Sequence, residues 1–237
     1  METHDGLHLP ATVRDLDDVR AIDRAAVRHE IACGEGAMVW RCWGGGAPVV
    51  LLHGSWNHWV RNLAALVRAG RQVWVPDLPG FGESARPPSG GDADALPAPM
   101  EAALQQLLGH APVDMVGFSF GSMVAAFMAA QRPQRVRRLV ISGAPALGIN
   151  PEWKLVLKPW THLPPGDELE AVLRENLATL MLARPQSIDG LALALHAQNL
   201  PRDRMKLRRL AKTDVLRRTL PQVRCPVHGI WGEQDAL

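Results

Sequence analysis

The sequence predicts an α/β fold, built on a mostly parallel, doubly wound sheet with a helical insertion. Three observations carry this expectation. Short apolar runs at 48–52, 72–76 and 113–116 read as buried strands, since parallel strands covered on both faces show continuous rather than alternating apolar residues. Helical patterns at 57–69, 100–108 and 122–132 alternate with them. From about 148 to 220 the alternation stops, and Pro151, Pro159, Pro164, Pro165, Pro185 and Pro201 divide the chain into several helices.

Each element follows from local chemistry. Residues 1–24 are polar and charged, and are expected as a tail or short helix. Residues 26–32 and 37–43 read as two strands joined at Gly34-Glu35-Gly36. Gly44-Gly45-Gly46 reads as a turn into the next strand and not as a phosphate loop, because no lysine or helix follows it. That next strand, 48–52, ends in His53-Gly54; the helix at 57–69 sets Leu63, Leu66 and Val67 on one face. The strand at 72–76 leads into Asp77-Leu78-Pro79-Gly80-Phe81-Gly82-Glu83-Ser84. Its Gly80-x-Gly82 is too short for a dinucleotide fingerprint and reads as a turn shaping a pocket wall. A Pro/Gly-rich loop at 86–99 precedes the helix at 100–108. Pro112 introduces the strand at 113–116, Pro133 ends the Ala- and Met-rich helix at 122–132, and strands follow at 135–142 and, behind Pro226, at 227–231. The expected organisation is a tail at 1–24, a core at 25–147, the insertion at 148–220, and a last strand and loop at 221–237.

Composition narrows the function classes. A chain of 237 residues with 47% apolar content suits one large α/β domain with an insertion. A net charge of +2 supplies no bulk attraction to nucleic acid. No stretch is long and apolar enough to span a bilayer, and METHDGLHLP lacks the apolar core of a signal peptide, so a cytoplasmic location is expected. Cys33, Cys42 and Cys225 form no C-x-x-C pair and read as reduced, buried side chains. No metal and no cofactor are expected. There is no tyrosine to serve as acid or oxyanion donor.

The chemistry centres on Gly117-Phe118-Ser119-Phe120-Gly121. This G-x-S-x-G, between a strand and a helix, has the form of a nucleophile elbow. A serine hydroxyl attacks only as it loses its proton to a base, so it must stand clear of the backbone on a sharp turn. Gly117 and Gly121 suit the positions where a side chain would crowd that turn. The backbone N–H groups of Ser55, just after the 48–52 strand, and of Phe120, just after the serine, are the candidate oxyanion donors. His53 reads as packed beneath its loop.

The blocks VVLLHG, DLPGFGES, GFSFG and CPVHGIWGEQD span residues 48–235. Through them the chain resembles the α/β-hydrolases, in the branch that includes serine esterases and carbon–carbon bond hydrolases. The resemblance implies that the insertion is a cap closing over Ser119, in which Trp153, Leu157, Trp160, Leu177, Met181 and Leu195 either line a pocket or pack the cap. It implies that Asp235, with Glu233 as the weaker choice, is the triad acid that orients a histidine. In the family that histidine follows the acid on a loop after one more strand. Here all nine histidines precede Asp235, with His196 in the insertion and His228 inside a strand. The expectation is therefore a sequence that stops short of the last strand, helix and triad histidine, leaving 227–231 as an open apolar edge that invites aggregation or pairing with another chain, a homo-oligomer among the outcomes. The relatives' glycine-rich stretch after His-Gly is also shorter here, which brings Trp56 close to the oxyanion donors.

The implied function is hydrolysis of a carboxylic ester, or of a carbon–carbon bond next to a carbonyl, in a small-molecule substrate. Dehalogenase and epoxide-hydrolase chemistry on this fold uses an aspartate at the elbow, and Ser119 argues against both. The alternative is a catalytically inactive binding protein on the same fold. Arg202, Arg204, Lys206, Arg208, Arg209, Lys212, Arg217 and Arg218 crowd one span of the insertion, as a solvated helix face or as an attraction for an acidic substrate.

Overall fold

Alternate residues of the central strands feed two separate hydrophobic cores, one on each face of a single sheet. In the computed structural model, which describes residues 9–149, 156–205 and 207–235, Val49 and Leu51 pack on one face and Val50 and Leu52 on the other. Val73 and Val75 likewise oppose Trp74. This is the two-residue side-chain period of a strand buried on both sides.

The elements run α1 (Leu16–Arg24), β1 (Val27–Cys33), β2 (Gly36–Trp43), β3 (Ala47–Leu52), α2 (Val60–Arg68), β4 (Arg71–Pro76), α3 (Pro97–Leu108), β5 (Val113–Phe118), α4 (Phe120–Gln131) and β6 (Val136–Ser142). Then come α5 (Asp167–Leu180), α6 (Gly190–Asn199), α7 (Val215–Thr219) and β7 (Val227–Ile230). The seven strands lie in the order β1-β2-β4-β3-β5-β6-β7. β1 and β2 are antiparallel to their neighbours, while β4, β3, β5, β6 and β7 are parallel. β3 and β5 therefore sit at the centre, with Leu52 opposite Gly117. α3 and α4 cover one face; α1 and α2 cover the other.

The segment before β1 is more than a tail. Asp15 caps α1 by accepting the N–H groups of Asp17 and Asp18 at 2.9 and 3.0 Å. Val13, Val19 and Ile22 are buried against the sheet, and the Trp43 indole donates to the Ile22 carbonyl at 2.9 Å. Leu16, Val19 and Ile22 suffice in a charged nonapeptide, because all three pack against the same core.

Between β6 and β7 the described residues contain helices and single 3-10 turns and no strand. Leu173, Leu177, Ile188 and Leu193 give this segment a small core of its own. Polar contacts seat it on the sheet: Asn57 and Asn199 exchange amide hydrogen bonds of 3.1 and 2.7 Å, and Arg61 meets Asp189 at 2.6 Å. The cationic run at 202–218 does not form a solvated helix face. It is mostly irregular, because Pro201 and the turn at Leu210–Lys212 break helical periodicity. Arg204 turns inward to the carbonyls of Gly82 and Ser84. Trp153 and Lys206 lie outside the described residues. At the far edge β7 is exposed along its whole length, with Ile230 at 57%.

The tightest backbone approach is at the start of α4. A Cβ on Gly121 would lie 2.0 Å from the Leu52 carbonyl oxygen, and one on Gly117 would lie 2.5 Å from the Gly121 oxygen. Both partners are backbone and cannot yield. Gly121→Ala is expected to cost about 3 kcal/mol or more in equilibrium denaturation. Gly45→Ala, whose Cβ would meet nothing within 4 Å, should stay within about 0.5 kcal/mol of the parent.

Candidate active site

Ser119 stands alone between β5 and α4 with φ 49° and ψ −118°, a left-handed backbone that a non-glycine residue adopts only under constraint. Its own N–H donates to the Ser142 carbonyl at 2.8 Å, and its carbonyl accepts from the Ser122 N–H at 2.9 Å. The Ser122 hydroxyl ties the Gly117 carbonyl at 2.8 Å and the Ser142 carbonyl at 3.1 Å. These bonds hold the turn from three sides. Among the described residues the Ser119 hydroxyl makes no hydrogen bond to a histidine. As the first residue of α4, Phe120 carries one of the N–H groups that a helix start leaves without an intrahelical acceptor, at the positive end of the helix dipole.

Ser119 and Phe120 open onto a cavity of about 870 Å³. Asp235 and Glu233 line it from the turn after β7, Met181 and Arg184 from the end of α5 and beyond, and Arg208 and Lys212 from the cationic run. Pairing of β6 with β7 brings Asp235 to this place: Gly143 N–H donates to the Ile230 carbonyl at 2.9 Å, and a Cβ on Gly143 would lie 3.5 Å from Asp235 Oδ2. The structure thus gathers Ser119, Phe120 and Asp235 around one cavity. Ser55 is buried and is not among the lining residues. Its carbonyl accepts from His58 Nδ1 at 2.8 Å, which fixes the turn it begins. Of the apolar residues singled out in the insertion, Met181 faces the cavity and Leu177 packs in the local core. Leu157 and Trp160 line a separate cavity of about 220 Å³, together with His196. Arg208 was the residue hardest to single out, since nothing in the spacing of eight cations marks one as inward-facing.

A buried charge network ties the loops that follow β3 and β4. Asp77 accepts the N–H groups of Trp56 and Glu83 at 2.8 and 3.1 Å and Arg41 Nη1 at 3.3 Å. Arg41 stacks on the Trp56 ring at 4.7 Å and also meets Asp23 and Glu83. Next to this loop, His53 stacks on Phe118 at 4.9 Å and lies 4.1 Å from the His58 ring. Burial, then the neighbouring His58 and Arg208, holds His53 well below its ordinary value. Burial likewise lowers His58 to about 4 despite its bond to Ser55. Among the described residues no histidine lines the Ser119 cavity. Cys42 is no rival nucleophile, since burial pushes its thiol up to about 12.

Residues 47–194 match the model of the alpha/beta hydrolase fold, and the chain belongs to that family. It is similar to a pimeloyl-[acyl-carrier protein] methyl ester esterase of Vibrio vulnificus, with 29% identity over 84% of this chain and 80% of the relative. It is also similar to a 2-hydroxymuconate semialdehyde hydrolase of a Pseudomonas species, with 34% identity over 43% of this chain and 38% of the relative. A dihydrolipoyllysine-residue acetyltransferase component of an acetoin cleaving system from Pseudomonas putida matches at 40% identity, over 44% of this chain and 28% of its own length. The chain thus spans well under half of these last two. Among solved structures it resembles the N-acyl homoserine lactonase AidH, with a TM-score of 0.66 and 21% identity over 87% of this chain and 78% of that one. The enol-lactonase of Burkholderia xenovorans superposes with a TM-score of 0.64 and 20% identity, over 86% and 81% of the two chains. These two likenesses are of fold. Among the described residues no helix is long and apolar enough to cross a membrane.

The lowered His58 sets a pH dependence. Its folded value of about 4 lies below the ordinary 6.5, so below pH 6.5 the unfolded chain takes up a proton that the folded chain refuses until about pH 4. Its contribution to stability is complete above pH 6.5 and is lost as pH falls through that window. Thermal melting followed from pH 7 to pH 4 should show a falling midpoint, with a shallower slope in His58→Gln.

Proposed function

We propose that the chain is a serine hydrolase that cleaves a carboxylic ester, or a carbon–carbon bond adjacent to a carbonyl, in a small-molecule substrate. The observation that carries this reading is Ser119 on a left-handed strand-to-helix turn, opening onto the cavity that Asp235 also lines. In this reading Ser119 Oγ attacks the substrate carbonyl and gives its proton to an imidazole base. The Phe120 N–H stabilises the oxyanion, with Ser55 N–H, from the turn that Asp77 and His58 hold, as the second donor. The tetrahedral species collapses to an acyl-enzyme, the leaving group departs with the proton, and water releases the acid by the same steps in reverse. Asp235 accepts the second imidazole N–H and stabilises the cation that forms. For the carbon–carbon case the departing carbon takes the proton.

The base lies outside the described residues in this reading, because no described histidine lines the cavity. The segment at 148–220 acts as the cap: it contributes Met181, Arg184, Arg208 and Lys212 to the cavity wall and excludes water from the reacting carbonyl. The methyl ester esterase among the relatives, matched over 84% of this chain, supports esters as the first substrates to test.

With no histidine of the described residues on the cavity, turnover by these 237 residues should be slow by several orders of magnitude and open to chemical rescue. Hydrolysis of p-nitrophenyl butyrate by the 237-residue chain is expected to rise with added imidazole, and the imidazole-dependent part should vanish in Ser119→Ala. Imidazole-stimulated hydrolysis that survives Ser119→Ala would contradict the assignment.

A further inference from the structure

We infer that the substrate carries a free carboxylate and that Arg208 binds it; the inference rests on the hydrolase reading and adds a substrate class to it. Three other arginines of the same run are occupied elsewhere. Arg204 gives its N–H groups to the carbonyls of Gly82 and Ser84, and Arg217 and Arg218 pair with Asp214.

Arg208 is placed differently. Its Nε donates to the Met205 carbonyl at 3.1 Å and its Nη2 meets Asp203. The guanidinium carbon sits 5.3 Å from the Phe81 ring centre and 5.4 Å from that of Phe120. Two bonds and two rings therefore hold it in one orientation, while Nη1 makes no hydrogen bond to any described residue. The residue lines the cavity beside Ser119 and Phe120.

A planar fork already held in place loses little entropy on receiving a ligand, and its geometry matches a carboxylate. Asp203 offsets part of the charge, so a singly charged carboxylate suits the site better than a dianionic phosphate. Lys212 lines the same cavity and forms no ion pair among the described residues, while the acids of the lining, Glu233 and Asp235, come from the β7 side. The cavity is thus cationic on the insertion side and anionic on the sheet side. A carboxylate drawn to Arg208 would orient the rest of the substrate. The positive field reaches the oxyanion loop as well, where Arg208 helps to keep His53 and His58 uncharged.

The first measurement compares kcat/KM for monomethyl and dimethyl esters of the same straight-chain diacids, with imidazole present. The parent should prefer the monoester, and Arg208→Gln should lower that preference about 10- to 100-fold, chiefly through KM, as expected for loss of one charge-assisted hydrogen-bonded pair. Arg208→Lys, which keeps the charge and loses the fork, should retain an intermediate preference. An unchanged ratio in Arg208→Gln, with both esters slowed alike, would overturn the inference and leave the hydrolase reading standing. The second measurement needs no turnover: calorimetric titration with hexanoate and with hexanamide. Hexanoate should bind at least about 10-fold tighter to the parent and lose that advantage in Arg208→Gln. Equal binding of the two, or no binding of hexanoate, would refute it. Failure of all ester turnover together with Arg208-dependent hexanoate binding would instead count against the hydrolase reading alone.

Discussion

The carbonyl of Leu52 and the α-carbon of Gly121 touch so closely that no side chain fits between them, and the placement of the site depends on that contact. It sets the first turn of α4 directly on the end of β3, which fixes where Ser119 and Phe120 meet the cavity. Ser119 is the one residue between β5 and α4, and it takes a left-handed backbone because both of its neighbours are already committed to regular structure. The strain is sustained by three polar ties, from Ser119 N–H, Ser122 N–H and the Ser122 hydroxyl. Backbone strain of this kind costs about 1–3 kcal/mol and persists only where surrounding contacts over-determine it.

Asp77 and Arg41 extend that order to the loops after β3 and β4. Removing both charges from water is costly, and a buried pair recovers the cost only if its remaining hydrogen-bonding capacity is filled. Here it is filled. Asp77 accepts two backbone N–H groups besides Arg41, and Arg41 reaches three carboxylates and one indole face. One backbone donor belongs to Trp56, after the oxyanion candidate Ser55, and the other to Glu83, in the turn that Arg204 grips from the insertion. The pair therefore couples the sheet, the loop that carries Ser55 and the seating of the insertion. Its value is positional more than energetic.

Much of this was legible in the sequence because the signals are local. Continuous apolar runs mark strands buried on both faces, and β3, β4 and β5 follow from them. The elbow glycines were readable because a close backbone approach admits only one residue type. What escaped reading depends on direction. Residues 1–24 left a tail or a short helix open because charged residues outnumber the inward-facing Leu16, Val19 and Ile22 of α1. The cationic run looked like a helix face because charge spacing alone cannot register that irregular backbone turns Arg204 and Arg208 inward. Ser55 is a similar case: its position after β3 is clear from sequence, but its burial beneath His58 comes from packing. Asp235 was legible only through the block around it, since pairing of β6 with β7 brings it to the cavity.

Mass spectrometry of the chain after treatment with a fluorophosphonate, with imidazole present, addresses the nucleophile most directly. One adduct is expected, on the peptide that contains Ser119, with none on Ser55, Ser122 or Ser142. An adduct on a different serine, or an unmodified Ser119 under conditions where the folded state is intact, would contradict the assignment of Ser119 as the nucleophile.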